Sequence, residues 1–91
     1  MPYWVYVLQS QSTSRRYIGQ TDDLERRLAR HNDGLVFSTS PYRPWRLVHS
    51  EKCQTRSEAM QRERFLKSGQ GRQFLTNLGS DLNRQSLPEA D

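Results

Sequence analysis

Ninety-one residues with 33% hydrophobic side chains allow one small domain, with a core of a few layers and little surplus stability. The single cysteine, Cys53, excludes an internal disulfide, no Cys/His grouping has zinc spacing, and no apolar run approaches a membrane span. The formal charge of +4, with 12 arginines among the 14 basic residues, favours a polyanionic partner over a neutral one. A solvated basic face is the competing reading. Because the opening residues also lack the basic and apolar segments of a signal peptide, a cytoplasmic protein is expected.

Residues 3 to 9 are β-branched and aromatic on both alternating faces, as in an internal strand covered on both sides. The polar run 10–14 is a turn. The strand after it, Arg15 to Gln20, completes an antiparallel hairpin, and Gly19 late in that strand suggests a close approach by another group. A helix is predicted from Asp22 to Asn32, opened by Asp22 and Glu25 as an acidic capping box and stopped at Gly34. Its inward stripe is Leu24, Arg27, Leu28 and His31, so half of the apolar face is basic. An unpaired charge there costs several kcal/mol if buried, so Arg27 and His31 are read as lining a site.

The two prolines between Leu35 and Pro44 make that stretch an irregular loop. A third strand spans Trp45 to Glu51, with Trp45, Leu47 and His49 on one face and Arg46 and Val48 on the other. Thr55 and Glu58 form a second capping box, opening a helix that runs to about Ser68. Here too a charge interrupts the stripe, since Glu63 lies between Ala59 and Leu66. Gly69 to Gly71 separate that helix from a short third one over 72–78. Basic residues outnumber acids 13 to 7 through Leu78 but are outnumbered 1 to 3 in 79–91, so a domain over 1–78 and a mobile tail over 79–91 are expected.

If the helices pack as their stripes suggest, Tyr6, Tyr17, Arg27, His31 and Glu63 share one side of the sheet. That set suits phosphodiester cleavage. Arg27 would neutralise charge on the phosphate, Glu63 would hold a hard divalent cation, and a tyrosine or His31 would manage the proton. Each residue also has an ordinary explanation. The tyrosines suit a core, His31 suits the negative end of a helix dipole, and Arg27 could simply pair with Glu63.

At these positions the chain resembles the GIY-YIG nuclease superfamily, in its small single-domain bacterial form. Val5-Tyr6-Val7 stands where the family has Gly-Ile-Tyr, and Tyr17-Ile18-Gly19 is the second half unaltered. The segments 23–32, 44–48, 59–63 and 65–69 continue the match in order, and the likeness covers about residues 2 to 76. The resemblance implies an α/β fold, a three-stranded antiparallel sheet flanked by helices, and metal-dependent hydrolysis of DNA. Residue by residue it implies Tyr6 and Tyr17 at the reaction centre, Tyr17 being the better general base. Arg27 would lie on the phosphate and His31 would assist the proton or orient the nucleophile. Glu63 would be the sole protein ligand to Mg²⁺ or Mn²⁺. Ser38-Thr39-Ser40 departs from relatives that tend to carry a lysine in the third place.

Arg30, Arg43, Arg46, Lys67 and Arg72 are candidates for DNA phosphate contact, and Trp45 or Tyr42 for stacking on an unpaired base. Branched, damaged or single-stranded DNA is the expected substrate, with a repair protein as a further partner. The alternatives are a non-catalytic nucleic-acid-binding module and a subunit that docks on a repair partner.

Overall fold

Alternation along the first strand divides the molecule into two cores. In the computed structural model, which describes residues 2–86 and side chains through Leu78, Val5 to Leu8 are wholly buried. Val5 and Val7 join Ala59, Leu66 and Leu75 on one face of the sheet, while Tyr6 and Leu8 join Trp45 on the other. Successive side chains of a strand point to opposite faces, so one apolar run supplies both.

The strands are β1 (Tyr3–Ser10), β2 (Arg16–Thr21) and β3 (Trp45–Cys53), antiparallel in the order β2-β1-β3. This is the expected three-stranded sheet with three helices. The helix α1 (Leu24–Asn32) covers the tyrosine face, with Leu24 and Leu28 packed on that core. The helices α2 (Arg56–Lys67) and α3 (Gly69–Ser86) belong to the other face.

Several boundaries, and the facing of one residue, differ from the sequence expectation, and β3 runs two residues past the expected Glu51. α1 is capped by Asp23 rather than Asp22, its carboxylate accepting from the Arg26 N–H at 3.1 Å. Thr21 Oγ1 accepts from the Asp23 N–H and so fixes the cap one residue later. In β3 the register slips between Val7 and Leu8, so His49 pairs with Val7 and meets Phe74 edge-on, on the face opposite Trp45 and Leu47. A bulge of this kind reverses the facing of every residue beyond it.

α3 starts at Gly69, two residues before the expected break is over, because Gly71 lies against the backbone of Phe65 and Leu66 where no Cβ fits. It also runs on to Ser86, past the boundary placed at 78/79. Of the expected tail, 87–91 lie outside the described residues. Thr55 caps α2 as expected, its Oγ1 accepting from the Glu58 N–H, while Glu58 Oε1 reaches back to the N–H of Gln54, one residue before the cap. No described helix is long and apolar enough to cross a membrane.

Candidate active site

Tyr6 stands opposite Gly19 across the hairpin, and Tyr17 opposite Leu8, so both tyrosines point to the α1 face. The Tyr6 hydroxyl lies 2.7 Å from where a Cβ on Gly19 would be, so any side chain at that position would displace it. This is the close approach expected of the glycine. From α1, His31 reaches the same place wholly buried, and its ring sits 4.8 Å from that of Tyr17 and 5.9 Å from that of Tyr6.

The polar atoms here form a chain whose proton positions follow from its end. Thr39 Oγ1 donates to the Val36 carbonyl at 3.3 Å, so it accepts from His31 Nδ1–H at 2.8 Å. His31 Nε2 is then left to accept from the Tyr6 hydroxyl at 3.1 Å. Burial, followed by the charges of Arg27 and Arg30, lowers the His31 pKa to about 4, which keeps the imidazole neutral at pH 7. Burial also raises the Tyr6 hydroxyl well above the ordinary tyrosine range, with Tyr17 adding to the rise and Arg27 opposing it. Thr39, which anchors this chain, was not singled out from sequence. A hydroxyl two residues after an exposed phenylalanine carries no pattern of its own.

Arg27 is half-buried, and its side chain has no hydrogen-bond or ion-pair partner among the described residues. Its charge nevertheless acts on both Tyr6 and His31. The pairing of Arg27 with Glu63, one ordinary explanation for both, does not form. It lines a groove of about 410 Å³ with Thr21, Asp22, Asp23, Arg26 and Arg30.

Glu63 lies elsewhere than expected. It belongs to α2, on the Val5 face, and not on the side of the sheet that holds the tyrosines. Its carboxylate accepts from Gln20 Nε2 at 3.2 Å and from Lys67 Nζ at 2.7 Å. Gln20 pairs with Val5 and points to that face, whereas the adjacent Gly19 faces Tyr6. Since β2 is an edge strand, the two arrangements lie back to back across a single strand. Glu63 is near enough for its charge to act on the Tyr6 hydroxyl.

A family model described as the GIY-YIG catalytic domain matches residues 2–76. The chain belongs to that family. A UPF0213 protein of Haloquadratum walsbyi is 38% identical over 85 residues, 90% of this chain and 94% of the relative. A UPF0213 protein of Streptococcus agalactiae is 34% identical over 86 residues, 93% and 97% of the two chains. The solution NMR structure of the UPF0213 protein BH0048 from Bacillus halodurans has a TM-score of 0.57 and 27% identity, with both chains fully covered. GIY-YIG domains are in general endonucleases acting on DNA with a divalent metal.

The residues present fit such a metal. No three His, Cys, Asp or Glu side chains gather among the described residues, so any ion would depend on few protein ligands. Mg²⁺ tolerates this, taking one or two carboxylates and retaining water. The Glu63 carboxylate is 20% exposed, and beside it the Gln20 Oε1 is buried with no hydrogen-bond partner. Two oxygens, one charged and one unpartnered, are a hard donor set. Around them Met60, Arg64 and Lys67 complete a cavity of about 280 Å³.

The remaining basic candidates are dispersed. Arg30 lines the Arg27 groove and Lys67 the Glu63 cavity. Arg43 folds over Gly34 and donates from Nε to the Ser40 carbonyl at 2.8 Å. Arg46 is exposed on β3 opposite Gln9, and Arg72 is exposed near the start of α3. Arg26, which lines the groove beside Arg27, was missed in the sequence because it falls off the inward stripe. Cys53 is half-buried, and burial, with Glu58 and Glu51 nearby, pushes its thiol up and away from reactivity.

Proposed function

We propose that this chain, through residues 1–78, is a metal-dependent endonuclease that hydrolyses DNA phosphodiester bonds. We read it as selective for DNA structure rather than sequence, acting in repair or recombination. The observation that carries the proposal is the Arg27 guanidinium, without a hydrogen-bond or ion-pair partner among the described residues, beside a tyrosine and a histidine that are hydrogen-bonded to each other and kept neutral chiefly by burial. A guanidinium with no direct salt bridge, in a groove where arginines outnumber aspartates three to two, has electrostatic use for an anion arriving from solution, and a phosphodiester supplies it.

In this reading Arg27 binds the scissile phosphate and stabilises the charge that develops on its oxygens. Tyr17, half-buried against the His31 ring, is the general base toward the attacking water. His31 holds the Tyr6 hydroxyl in one orientation, and Thr39 holds His31 in one tautomer. Glu63, with Gln20 beside it, would hold Mg²⁺ or Mn²⁺, which supplies Lewis-acid polarisation of the phosphate when bound. Arg43, Arg46 and Arg72 would contact flanking phosphates.

A second reading is favoured by one contact. Lys67 already neutralises a Glu63 oxygen, as suits a nucleic-acid-binding module that does not cut. Incubation with plasmid and branched DNA in Mg²⁺ or Mn²⁺, beside Glu63→Ala and Arg27→Ala proteins, separates the two. Cleavage by the parent protein that both variants lose supports the enzyme. Retardation on a gel without cutting, weakening steeply with salt, supports the binding module.

A further inference from the structure

Phe37 is 94% exposed and Leu35 60%, on the loop between α1 and β3. Isolated exposed apolar residues are ordinary, so exposure alone assigns nothing. The fastening of this loop is less ordinary. At one end the Leu35 N–H donates to the Arg30 carbonyl at 3.0 Å. At the other, the Thr39 carbonyl accepts from Trp45 Nε1 at 2.9 Å and Thr39 Oγ1 holds His31. The Thr39 and Ser40 N–H groups both close back on the Val36 carbonyl, at 3.1 and 3.0 Å. Phe37 is thus the tip of a short arch whose two feet are fixed, one of them to the histidine of the candidate active site.

Arginines stand on both sides of the arch. Arg26, Arg27 and Arg30 outnumber Asp22 and Asp23 in the groove along α1, and the Arg43 guanidinium lies over Gly34 at the foot of the loop. The aromatics expected from sequence to meet a base are already occupied. Trp45 is 4% exposed with its indole N–H bonded, and the Tyr42 ring carries the Arg15 guanidinium at 4.3 Å. The Phe37 ring is free. An aromatic platform beside a cationic track is the means by which proteins hold single strands, with phosphates on the cations and bases on the ring.

We infer that Phe37 is a stacking platform for an unpaired base of DNA whose backbone lies along the Arg26–Arg27–Arg30 groove. The substrate class is therefore single-stranded, flapped or looped-out DNA rather than continuous duplex. In a duplex each base face is already covered by its neighbours, so a ring approaching from the side has nothing to stack on without a cost in unstacking. The inference rests on the nuclease reading for the nature of the partner.

The test is binding without cutting. An oligonucleotide carrying 2-aminopurine, as single strand, flap and matched duplex, is titrated without divalent metal against the parent protein, Phe37→Ala and Phe37→Trp. The parent should bind single strand and flap more tightly than duplex and alter the 2-aminopurine fluorescence. Phe37→Ala should lose roughly ten- to hundredfold of the affinity for single strand and flap, with duplex affinity unchanged, while Phe37→Trp keeps it. An unchanged Phe37→Ala, or an equal loss on duplex, overturns the inference. So does a concentration-dependent dimer, seen by sedimentation, that Phe37→Ala abolishes without touching DNA affinity, because the arch would then cover a second copy. Cleavage by the parent that is indifferent to Phe37 leaves the nuclease reading standing and removes this one. Phe37-dependent binding of single strands with no cleavage does the reverse.

Discussion

Two histidines meet charged groups on opposite faces of one sheet, and their surroundings differ in kind. His49 Nε2 lies 2.8 Å from Glu51 Oε2, and Glu51 accepts from Arg62 at both oxygens, at 2.6 and 3.1 Å. Arg62 in turn lies over the rings of Phe65 and Phe74. Every charge in that cluster has an opposite charge beside it. Despite its burial, the Glu51 carboxyl is held below the usual range by Arg62 and His49. Around His31 the bonds are neutral, and the nearby guanidinium of Arg27 is in salt-bridge contact with no carboxylate among the described residues, though Asp22 and Asp23 line the same groove. A closed charge network serves the fold, whereas an open one holds its cation available for something outside the molecule.

The largest expected effect is at the groups read as holding phosphate and metal, Arg27 on the open side and Glu63 behind the edge strand. Arg27→Ala or Glu63→Ala should lower DNA cleavage by roughly a hundredfold or more, while circular-dichroism melting changes little. A large loss of melting temperature would mean that these charges serve the fold after all. NMR titration of the His31 imidazole sharpens the point. Without Arg27 it should protonate at a higher pH than the parent's value of about 4, since one of the charges that holds it neutral is gone.

The second effect is on acid stability. The His31 pKa is lower in the folded chain than the ordinary histidine value of 6.5, so below that value the unfolded chain binds the extra proton first. The stability from a neutral His31 is complete above pH 6.5 and falls toward pH 4, by up to about 3 kcal/mol. Glu51, whose folded pKa is depressed, adds a loss at lower pH as its carboxylate protonates. Denaturant unfolding at stepped pH should show the His31 window vanish in His31→Gln while the Glu51 window remains.

Smaller effects fall on the closed side and on the loop. Arg62→Ala leaves a half-buried carboxylate short of its main partner and should cost about 1–3 kcal/mol, with cleavage by the folded protein unchanged. Thr39→Val removes the acceptor of a buried N–H and should cost about 1 kcal/mol or somewhat more, which Thr39→Ser largely restores. Denaturant melts measure both. Equal loss of activity in Arg62→Ala and Arg27→Ala would erase the distinction between the two faces.

Much of this arrangement was legible beforehand. The interrupted stripes on α1 and α2 pointed to Arg27, His31 and Glu63, because a helix places residues three and four apart on one face whatever surrounds it. The hairpin placed Tyr6, Tyr17 and Gly19 together for the same kind of local reason. The link between Gln20 and Glu63 was not legible, since it crosses 43 positions of sequence. Nor was the facing of His49, which depends on one bulge in a pairing partner.

The sequence by itself determined the elements, their order and the polar residues on their inward faces, because helix and strand periodicities are properties of neighbouring residues. The family likeness was readable there too, in short segments at preserved spacing. Tertiary structure alone decided which polar groups found partners. It put Glu63 behind the edge strand beside Gln20, left Arg27 without a salt bridge among the described residues, and oriented the His31 ring between Thr39 and Tyr6. Such outcomes depend on distances between segments remote in the chain, and those distances exist only once the sheet has twisted and the helices have docked.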